Sequence, residues 1–132
     1  MHQTLVREKL RLNVALIVDS GEPHEDAHHS LLATFGVDAV CPYNVDEAIL
    51  KLERECDIVN SGEENSKFED TLFKNYQIAV GLGLIKVMAK MGISTLQSCK
   101  GAQIADPIGL DEEVTSVCFL GSSSQVGWFR LR

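Results

Sequence analysis

The apolar residues of this chain fall into short continuous runs that alternate with stretches of helical spacing. Residues 13–20 contain the run Val-Ala-Leu-Ile-Val between polar ends, a pattern typical of a strand buried on both faces of a sheet. Residues 37–41 form a second run of this kind, closed by Pro42, and residues 94–98 are a third candidate. We therefore expect three strands.

Segments with the spacing of helices lie before and between these runs. Residues 4–10 resemble the end of a helix, and residues 25–35 follow Pro23, a residue favoured at the start of a helix. Residues 45–55 are predicted to form an amphipathic helix, because apolar side chains recur there at the i, i+3, i+4 and i+7 positions. These side chains are Val45, Ala48, Ile49 and Leu52.

A further helical face runs over residues 72–80. Gly81 and Gly83 are predicted to interrupt it and to separate it from a second helix over residues 84–91. Gly92 is expected to end that second helix.

Polar and turn-forming residues mark the remaining segments. Residues 57–67 are the only long polar stretch and predict a surface loop, with Ser66 as a possible cap of the next helix. Lys100 and Gly101 predict a turn into a short helix over residues 102–105, which stops before Pro107.

Three strands of the buried type, separated by helices, imply parallel pairing with right-handed crossovers. The predicted fold class is therefore α/β, with about three parallel strands that alternate with helices. We expect one domain over residues 1–132, since the sequence shows no internal repeat and no linker.

Composition narrows the classes of function. The 132 residues are 45% hydrophobic and 23% charged, which excludes a disordered chain. The formal net charge of −7 disfavours nucleic acid and anionic membranes as partners. No apolar run approaches the ~20 residues that a membrane-spanning helix needs, and residues 1–10 lack the apolar core of a secretory signal.

The four cysteines are widely spaced, at Cys41, Cys56, Cys99 and Cys118. This spacing favours free thiols in a reducing compartment and therefore an intracellular protein, with a disulfide pair as the open alternative.

The segment from His24 to His28 matches the H-E-x-x-H spacing of zinc hydrolases, which places two imidazoles on one helix face. His24, however, stands at the very start of the predicted helix, and no histidine follows His29 to serve as a third ligand. We interpret the segment as an acidic first helical turn favoured by the helix dipole, and we predict no metal site.

Two other pairs of side chains, one of histidines and one of lysines, are candidate sites. His28 and His29 diverge by about 100° on a helix and cannot bind one ion together, so one of them is expected to pack against the sheet through a hydrogen bond. Lys86 and Lys90 predict a solvated basic face.

Two glycine-containing segments suggest anion binding only weakly. Residues 81–83 form an incomplete phosphate-loop pattern, for which a helix break is the better explanation. Residues 98–101 could gather an anion where a strand passes into a helix, with the charge of Lys100 assisting. The residues by themselves thus assign no catalytic, cofactor-binding or metal-ligating role.

Several segments together resemble the central domain of the large subunit of glutamate synthase, in the C-terminal part of that domain. The most specific match is the block over residues 86–97, together with residues 100–104. The other matching segments are VALIVDSGEP, the His28-His29 pair, FGVDAVCPY, KNYQIAVGLGL and GLDEEV. The resemblance covers residues 5–121.

This resemblance implies a place inside a larger oxidoreductase of glutamate biosynthesis. Enzymes of the family convert glutamine and 2-oxoglutarate to two glutamates by reductive transfer of the amide nitrogen. Their amidotransferase domain carries the cysteine nucleophile, and their barrel domain carries FMN and an iron–sulfur cluster, so both domains are implied as partners. The central domain joins them in a barrel-related α/β arrangement, which implies no catalytic residue and no cofactor in this chain.

The chain departs from the family pattern at three places. Residues 24–29 read HEDAHH where the family usually reads REVHH, so the zinc-like spacing arises from one substitution and one inserted residue. Residues 98–103 read SCKGAQ in place of SYRGAQ. Residues 122–132 leave the pattern and are interpreted as a divergent tail, either a truncation or a misjoined end.

Two hypotheses of function remain. The first is a fragment or truncated relative of glutamate synthase that is inert by itself, with ferredoxin or a nicotinamide nucleotide as the electron donor of the parent enzyme. The second is a free-standing small α/β binding or scaffold protein without catalysis. A zinc hydrolase is the least supported alternative.

Overall fold

The computed structural model describes residues 1–55, 65–122 and 127–129 of the chain. Six α-helices, four strands and one 3₁₀ turn (Arg11–Asn13) occur within these residues. The helices and strands in chain order are α1 (His2–Arg7), β1 (Ile17–Asp19), α2 (Asp26–Thr34), β2 (Ala39–Cys41), α3 (Tyr43–Glu55), α4 (Asn65–Lys90), α5 (Leu96–Cys99), β3 (Gly109–Leu110), α6 (Glu112–Cys118) and β4 (Gly127–Phe129).

The first two predicted strands and the helix between them are confirmed. β1 and β2 pair in parallel, with Ile17 opposite Ala39 and Asp19 opposite Cys41, and α2 connects them. Gly36 ends α2 with a φ of +92°, and the N–H of Val37 bonds to the carbonyl of Leu32 at 3.0 Å. A glycine with positive φ commonly ends a helix in this way, and here it lets the chain turn from α2 into β2.

The predicted third strand over residues 94–98 is wrong, because this segment contains α5. Thr95 adopts an extended backbone just before the helix, and its hydroxyl lies 2.8 Å from the hydroxyl of Ser98. The N–H of Lys100 then bonds to the carbonyl of Leu96 at 3.0 Å. Short polar side chains that bond locally favour turns and helix starts over strands.

A second parallel pair, which the sequence did not predict, lies nearer the C-terminal end. β3 pairs with β4, with Gly109 opposite Gly127 and Leu110 opposite Phe129. The fold is thus mixed helix and strand, with two separate two-stranded parallel sheets in the described parts of the chain.

Burial of the first sheet is also less than the sequence predicted. Ile17 is 70% exposed, and β1 alternates between exposed and half-buried positions. The expectation of a strand buried on both faces is therefore wrong for the chain as described, because two strands and their helices do not cover both faces.

The predicted interruption of the long helix at Gly81 and Gly83 is wrong, because α4 is continuous from Asn65 to Lys90. Gly83 is buried against Asp26 of α2, so a side chain at this position would collide with the neighbouring helix. Gly81 has open space around it. One glycine lets two helices approach closely, and packing outweighs the roughly 1 kcal/mol that a glycine costs a helix.

The boundaries of the predicted polar loop differ as well. Ser66 lies inside α4 and not at the residue before the helix, so it is not the cap that was predicted. Residues 57–64 of that loop lie outside the described residues.

Residues 102–105 are not helical, and this prediction is wrong too. Gly101 has a φ of +72° and Gln103 a φ of +53°, which are left-handed conformations that a right-handed helix excludes. The following helix, α6, begins later at Glu112, and the side chain of Asp111 just before it accepts a hydrogen bond from the N–H of Glu112 at 2.8 Å.

The apolar core is small. Among the described side chains, the buried apolar residues are Val45, Met88, Cys99 and Val114. The rings of Phe35 and Phe119 meet edge to face at 5.2 Å and join the end of α2 to the end of α6. The principal helix packing is that of α2 on α4. The predicted stop at Gly92 is confirmed: α4 ends at Lys90, Gly92 follows with a φ of +70°, and the N–H of Ile93 bonds to the carbonyl of Met88.

Candidate functional site

Asp38, in the turn before β2, is the centre of a half-buried cluster of charges. Its Oδ2 accepts hydrogen bonds from Nη2 of Arg11 at 2.6 Å and from the N–H of Leu16 at 2.8 Å. Its Oδ1 accepts one from Nζ of Lys100 at 2.6 Å. We call Asp38, Arg11 and Lys100 the Asp38 junction, because it ties together three segments that are distant in sequence.

All three guanidinium nitrogens of Arg11 donate hydrogen bonds in this arrangement. Besides Asp38, the guanidinium donates to the carbonyl of Val14 at 2.7 Å, to the carbonyl of Gly36 at 2.8 Å, and through Nε to Nδ1 of His2 at 3.0 Å. An arginine that satisfies several acceptors at fixed angles orders the backbone around it.

His2 fills the space between two glycines. A Cβ atom on Gly36 or on Gly101 would collide with its ring, and both glycines have positive φ. Burial, followed by the positive charge of Arg11, lowers the pKa of His2. The ring therefore favours its neutral form, in which Nδ1 can accept the bond from Arg11.

The chemistry of the Asp38 junction is that of a structural ion cluster. The hydrogen bonds from Lys100, Leu16 and Arg11 hold the pKa of Asp38 far below its usual range. A carboxyl group with a lowered pKa stays ionised near neutral pH and is a weak base, which does not suit a proton-transfer role. Its place in the fold suits it to fixing the N-terminal segment against the turns before β2 and after α5.

The Asp38 junction also changes the interpretation of residues 98–101. The predicted anion site needed a strand end followed by a helix start, whereas Lys100 follows the end of α5. Its ammonium group donates to Asp38, so this carboxylate, and not a bound anion, is its partner in the fold. Gly81 and Gly83 lie inside α4, where helix hydrogen bonds occupy the backbone N–H groups that a phosphate would need.

The zinc-like segment is divided between a loop and a helix. His24 precedes α2, and His28 is its third residue. Nδ1 of His28 accepts from the N–H of His24 at 3.2 Å and from that of Glu25 at 3.4 Å, so this imidazole caps the helix. Within residues 1–52 and 71–122, no three His, Cys, Asp or Glu side chains are arranged to hold a metal ion.

His29 makes the hydrogen bond that was expected of one histidine of the pair, but to a helix and not to the sheet. Its Nε2 lies 2.9 Å from the hydroxyl of Tyr76 on α4, and that hydroxyl donates to the carbonyl of His24 at 3.3 Å. The tautomer that completes this chain of bonds carries its proton on Nε2. The sequence did not predict that Tyr76 would be the partner of His29. A tyrosine on the apolar face of a helix is nevertheless a signal for such a bond, because its hydroxyl usually has a hydrogen-bond partner when it is buried.

Burial shifts both members of this pair toward their neutral forms. It lowers the pKa of His29, with the neighbouring His28 contributing, and it raises the pKa of Tyr76, with the charge of Asp46 contributing. The His29–Tyr76 pair is therefore a neutral hydrogen bond near pH 7, which favours a packing role for it.

A cavity of about 450 Å³ lies beside this pair, between α2, β2 and α4. Its polar lining includes His29, Tyr76 and Asp46, and its apolar lining includes Phe73 and Leu84. A space of this volume with convergent polar groups could hold a small molecule.

The described cysteines do not gather at this cavity or elsewhere. Cys99 is buried, whereas Cys41 and Cys118 are exposed, and all three are free thiols. Cys56 lies outside the described residues. The solvated basic face predicted for Lys86 and Lys90 is confirmed, since both side chains are exposed on α4.

Comparison with known proteins gives the family of the chain. The model of the family described as glutamate synthase central domain matches residues 1–111. The chain belongs to this family.

Relatives with names support this membership over nearly the full chain. This chain is 46% identical over 126 residues to the glutamate synthase [NADH] of Schizosaccharomyces pombe. It is 42% identical over 127 residues to the glutamate synthase [NADH] of Saccharomyces cerevisiae. It is also 39% identical over 132 residues to the glutamate synthase [NADPH] large chain of Bacillus subtilis. These matches cover 96–100% of this chain but only 6–8% of each relative.

The described residues of this glutamate synthase segment do not fit an iron–sulfur cluster, which several cysteine thiolates together must hold. Cys41, Cys99 and Cys118 form no three-donor group with other described side chains. Inside α4, helix hydrogen bonds occupy the backbone at Gly81 and Gly83, so this glycine pair is not a binding turn for a flavin phosphate. None of the helices in the described part of the chain is both long and apolar enough to cross a membrane.

Proposed function

We propose that this chain serves as a segment of a glutamate synthase central domain and has no catalytic activity by itself. In the parent enzyme it would stand between the amidotransferase domain and the barrel domain that carries FMN and the iron–sulfur cluster. The observation that carries this proposal is the family match over residues 1–111, together with relatives that match 96–100% of the chain.

The internal use of the charged groups supports a structural role. Asp38, Arg11 and Lys100 satisfy one another, and the His29–Tyr76 pair is neutral and bonded within the fold. Groups held in this way stabilise a segment and give it a fixed shape, whereas catalysis needs a group poised to gain or lose a proton.

The relatives also bear on the electron donor. Their names assign NADH, NADPH and ferredoxin to proteins that this chain resembles at 37–46% identity. Because the similarity extends across all three kinds, we place the choice of donor outside this segment. We further propose an intracellular location, either cytoplasmic or organellar. Residues 1–132 would form a single, partial central-type domain with a divergent tail over residues 122–132.

The test is an assay of glutamate formation. The purified chain, supplied with glutamine, 2-oxoglutarate and a reduced donor, should form no glutamate above the buffer rate. The Schizosaccharomyces pombe enzyme under the same conditions is the positive control. A rate that the isolated chain sustains, and that is lost on heating, would overturn the proposal.

The cavity beside Tyr76 favours a second candidate function, that of a free-standing binding protein without catalysis. A small molecule that occupies it should raise the unfolding temperature of the chain, and Tyr76→Phe should weaken that shift. A screen of small polar metabolites by thermal unfolding would show such a shift, and a uniformly negative screen counts against this candidate.

A further inference from the structure

The outward surface of α4 carries a row of exposed apolar side chains. Ile78, Leu82 and Ile85 follow one another at the i, i+4 and i+7 positions and are 59%, 54% and 61% exposed. We call these three residues the outer α4 stripe. The opposite surface of the same helix packs against α2, where Gly83 is buried and Tyr76 and Val80 are half-buried.

A helix that is apolar on two opposite surfaces belongs in an interior, because a helix at a protein surface normally turns polar residues to water. Helix α3 shows that ordinary pattern, with Val45 buried and the charged Glu47 exposed. Single exposed apolar residues are common on proteins, but an aligned row of large ones marks a contact surface.

The charged residues that α4 carries over residues 71–90 are all of one sign. Residues 71–90 contain Lys74, Lys86 and Lys90 and no Asp or Glu, although the whole chain carries a net charge of −7. All three lysines are exposed. A complementary partner would therefore present an apolar strip with an acidic border.

We propose that the outer α4 stripe docks onto another region of the glutamate synthase polypeptide, one that offers an apolar strip bordered by carboxylates. This inference rests on the proposed function. The partner is inferred from the length of the relatives. This chain matches only 6–8% of each relative's sequence, so more than nine tenths of such a polypeptide lies outside the match and could supply the docking surface. A second copy of the chain fits less well, because two lysine borders would face each other.

The experiment compares thiol accessibility in two settings. Leu82→Cys is made in the 132-residue chain and in a chimera, in which the chain replaces the matching 126-residue segment of the Schizosaccharomyces pombe glutamate synthase. Both proteins react with a maleimide, and peptide mass spectrometry separates the label at position 82 from label on the native thiols. Glu47→Cys, on the polar surface of α3, is the matched control.

In an active chimera, position 82 should label about ten-fold more slowly than in the isolated chain, as expected for a surface that opens only transiently. Position 47 should label at similar rates in both. Equal labelling of position 82 in both settings would overturn the docking proposal and leave the proposed function standing. Slow labelling of position 82 in the isolated chain at high but not at low concentration would make a second copy the occupant, which also overturns it.

A chimera that is inactive or fails to fold contradicts the proposed function, and the docking proposal falls with it. The two failures are therefore distinguishable by the activity of the chimera before any label is added.

Discussion

Asp38 connects parts of the chain that are far apart in sequence, and this contact could not be predicted from the sequence. Within the run FGVDAV, an aspartate looks like an ordinary turn residue. Its partners Arg11 and Lys100 lie 27 and 62 residues away, and only the fold brings them within 2.6 Å. The same holds for Tyr76, whose partner His29 is 47 residues away. Local patterns predict which residues turn inward but not which residues they meet.

Asp38→Asn should lower the free energy of unfolding by about 2 kcal/mol at pH 7, as expected for a hydrogen-bonded charge of this kind. The amide keeps the shape of the side chain but leaves Arg11 and Lys100 facing each other without their counter-charge. Urea unfolding measures the difference. Asp106→Asn, at an exposed position, removes the same charge, and an equal loss in both variants would contradict the role of the Asp38 junction.

The stabilisation by Asp38 should also depend on pH. Because folding depresses the pKa of this carboxyl, the folded chain binds fewer protons than the unfolded chain in acid. The stabilisation is therefore fully present above the unfolded pKa of about 4 and declines as the pH falls toward the folded pKa. Unfolding curves of the native chain and Asp38→Asn should converge below pH 4, and a constant gap from pH 7 to about 2.5 would contradict this.

At the scale of elements, helical periodicity located α2 and α3 to within two residues of their ends. Helical periodicity failed for α4, because this helix is apolar on both surfaces and contains two glycines. The spacing of apolar residues therefore does not show its full length, and the glycines falsely suggest a break. The prediction also failed for residues 94–98 because a run of five residues is too short for periodicity to distinguish a helix from a strand. The bond between the hydroxyls of Thr95 and Ser98 favours the helix start that the structure has.

The two glycines of α4 should respond oppositely to the same substitution. Gly81→Ala should raise the free energy of unfolding by up to about 1 kcal/mol, because alanine favours the helix and the space there is open. Gly83→Ala should lower it by roughly 1–3 kcal/mol, because its methyl group would collide with Asp26 of α2. Chemical unfolding followed by circular dichroism measures both. Changes of the same sign would show that α2 and α4 do not approach as closely as described.

At the scale of the whole molecule, the sequence predicted the mixed helix-and-strand class and the family, but not the extent of the sheet. Alternating runs indicate which segments are strands, whereas the number of strands in a sheet depends on contacts between distant segments. The family resemblance rested on residues 86–97 above all, a block inside or next to α4, where the element prediction was poorest. Similarity to known sequences and local periodicity are thus independent sources of information.

The isolated chain should bind a dye that reports exposed apolar surface, such as anilinonaphthalene sulfonate. Its outer α4 stripe is open, and its buried apolar residues are few among those described. Leu82→Gln combined with Ile85→Gln should reduce the dye fluorescence while leaving the unfolding midpoint nearly unchanged, since both side chains are more than half exposed. Replacing the buried Val114 by alanine is the comparison, and it should instead lower the midpoint.

The distance in sequence between Asp38 and Lys100 has a consequence for the order of folding. Their ion pair closes a loop of 62 residues, whereas α2 and its glycine stop depend on neighbours only a few residues apart. Contacts that close long loops form after local ones, because the entropy of the loop must be overcome first. The Asp38 junction should therefore form after the folding transition state. In that case its hydrogen bonds lower the unfolding rate more than they raise the folding rate.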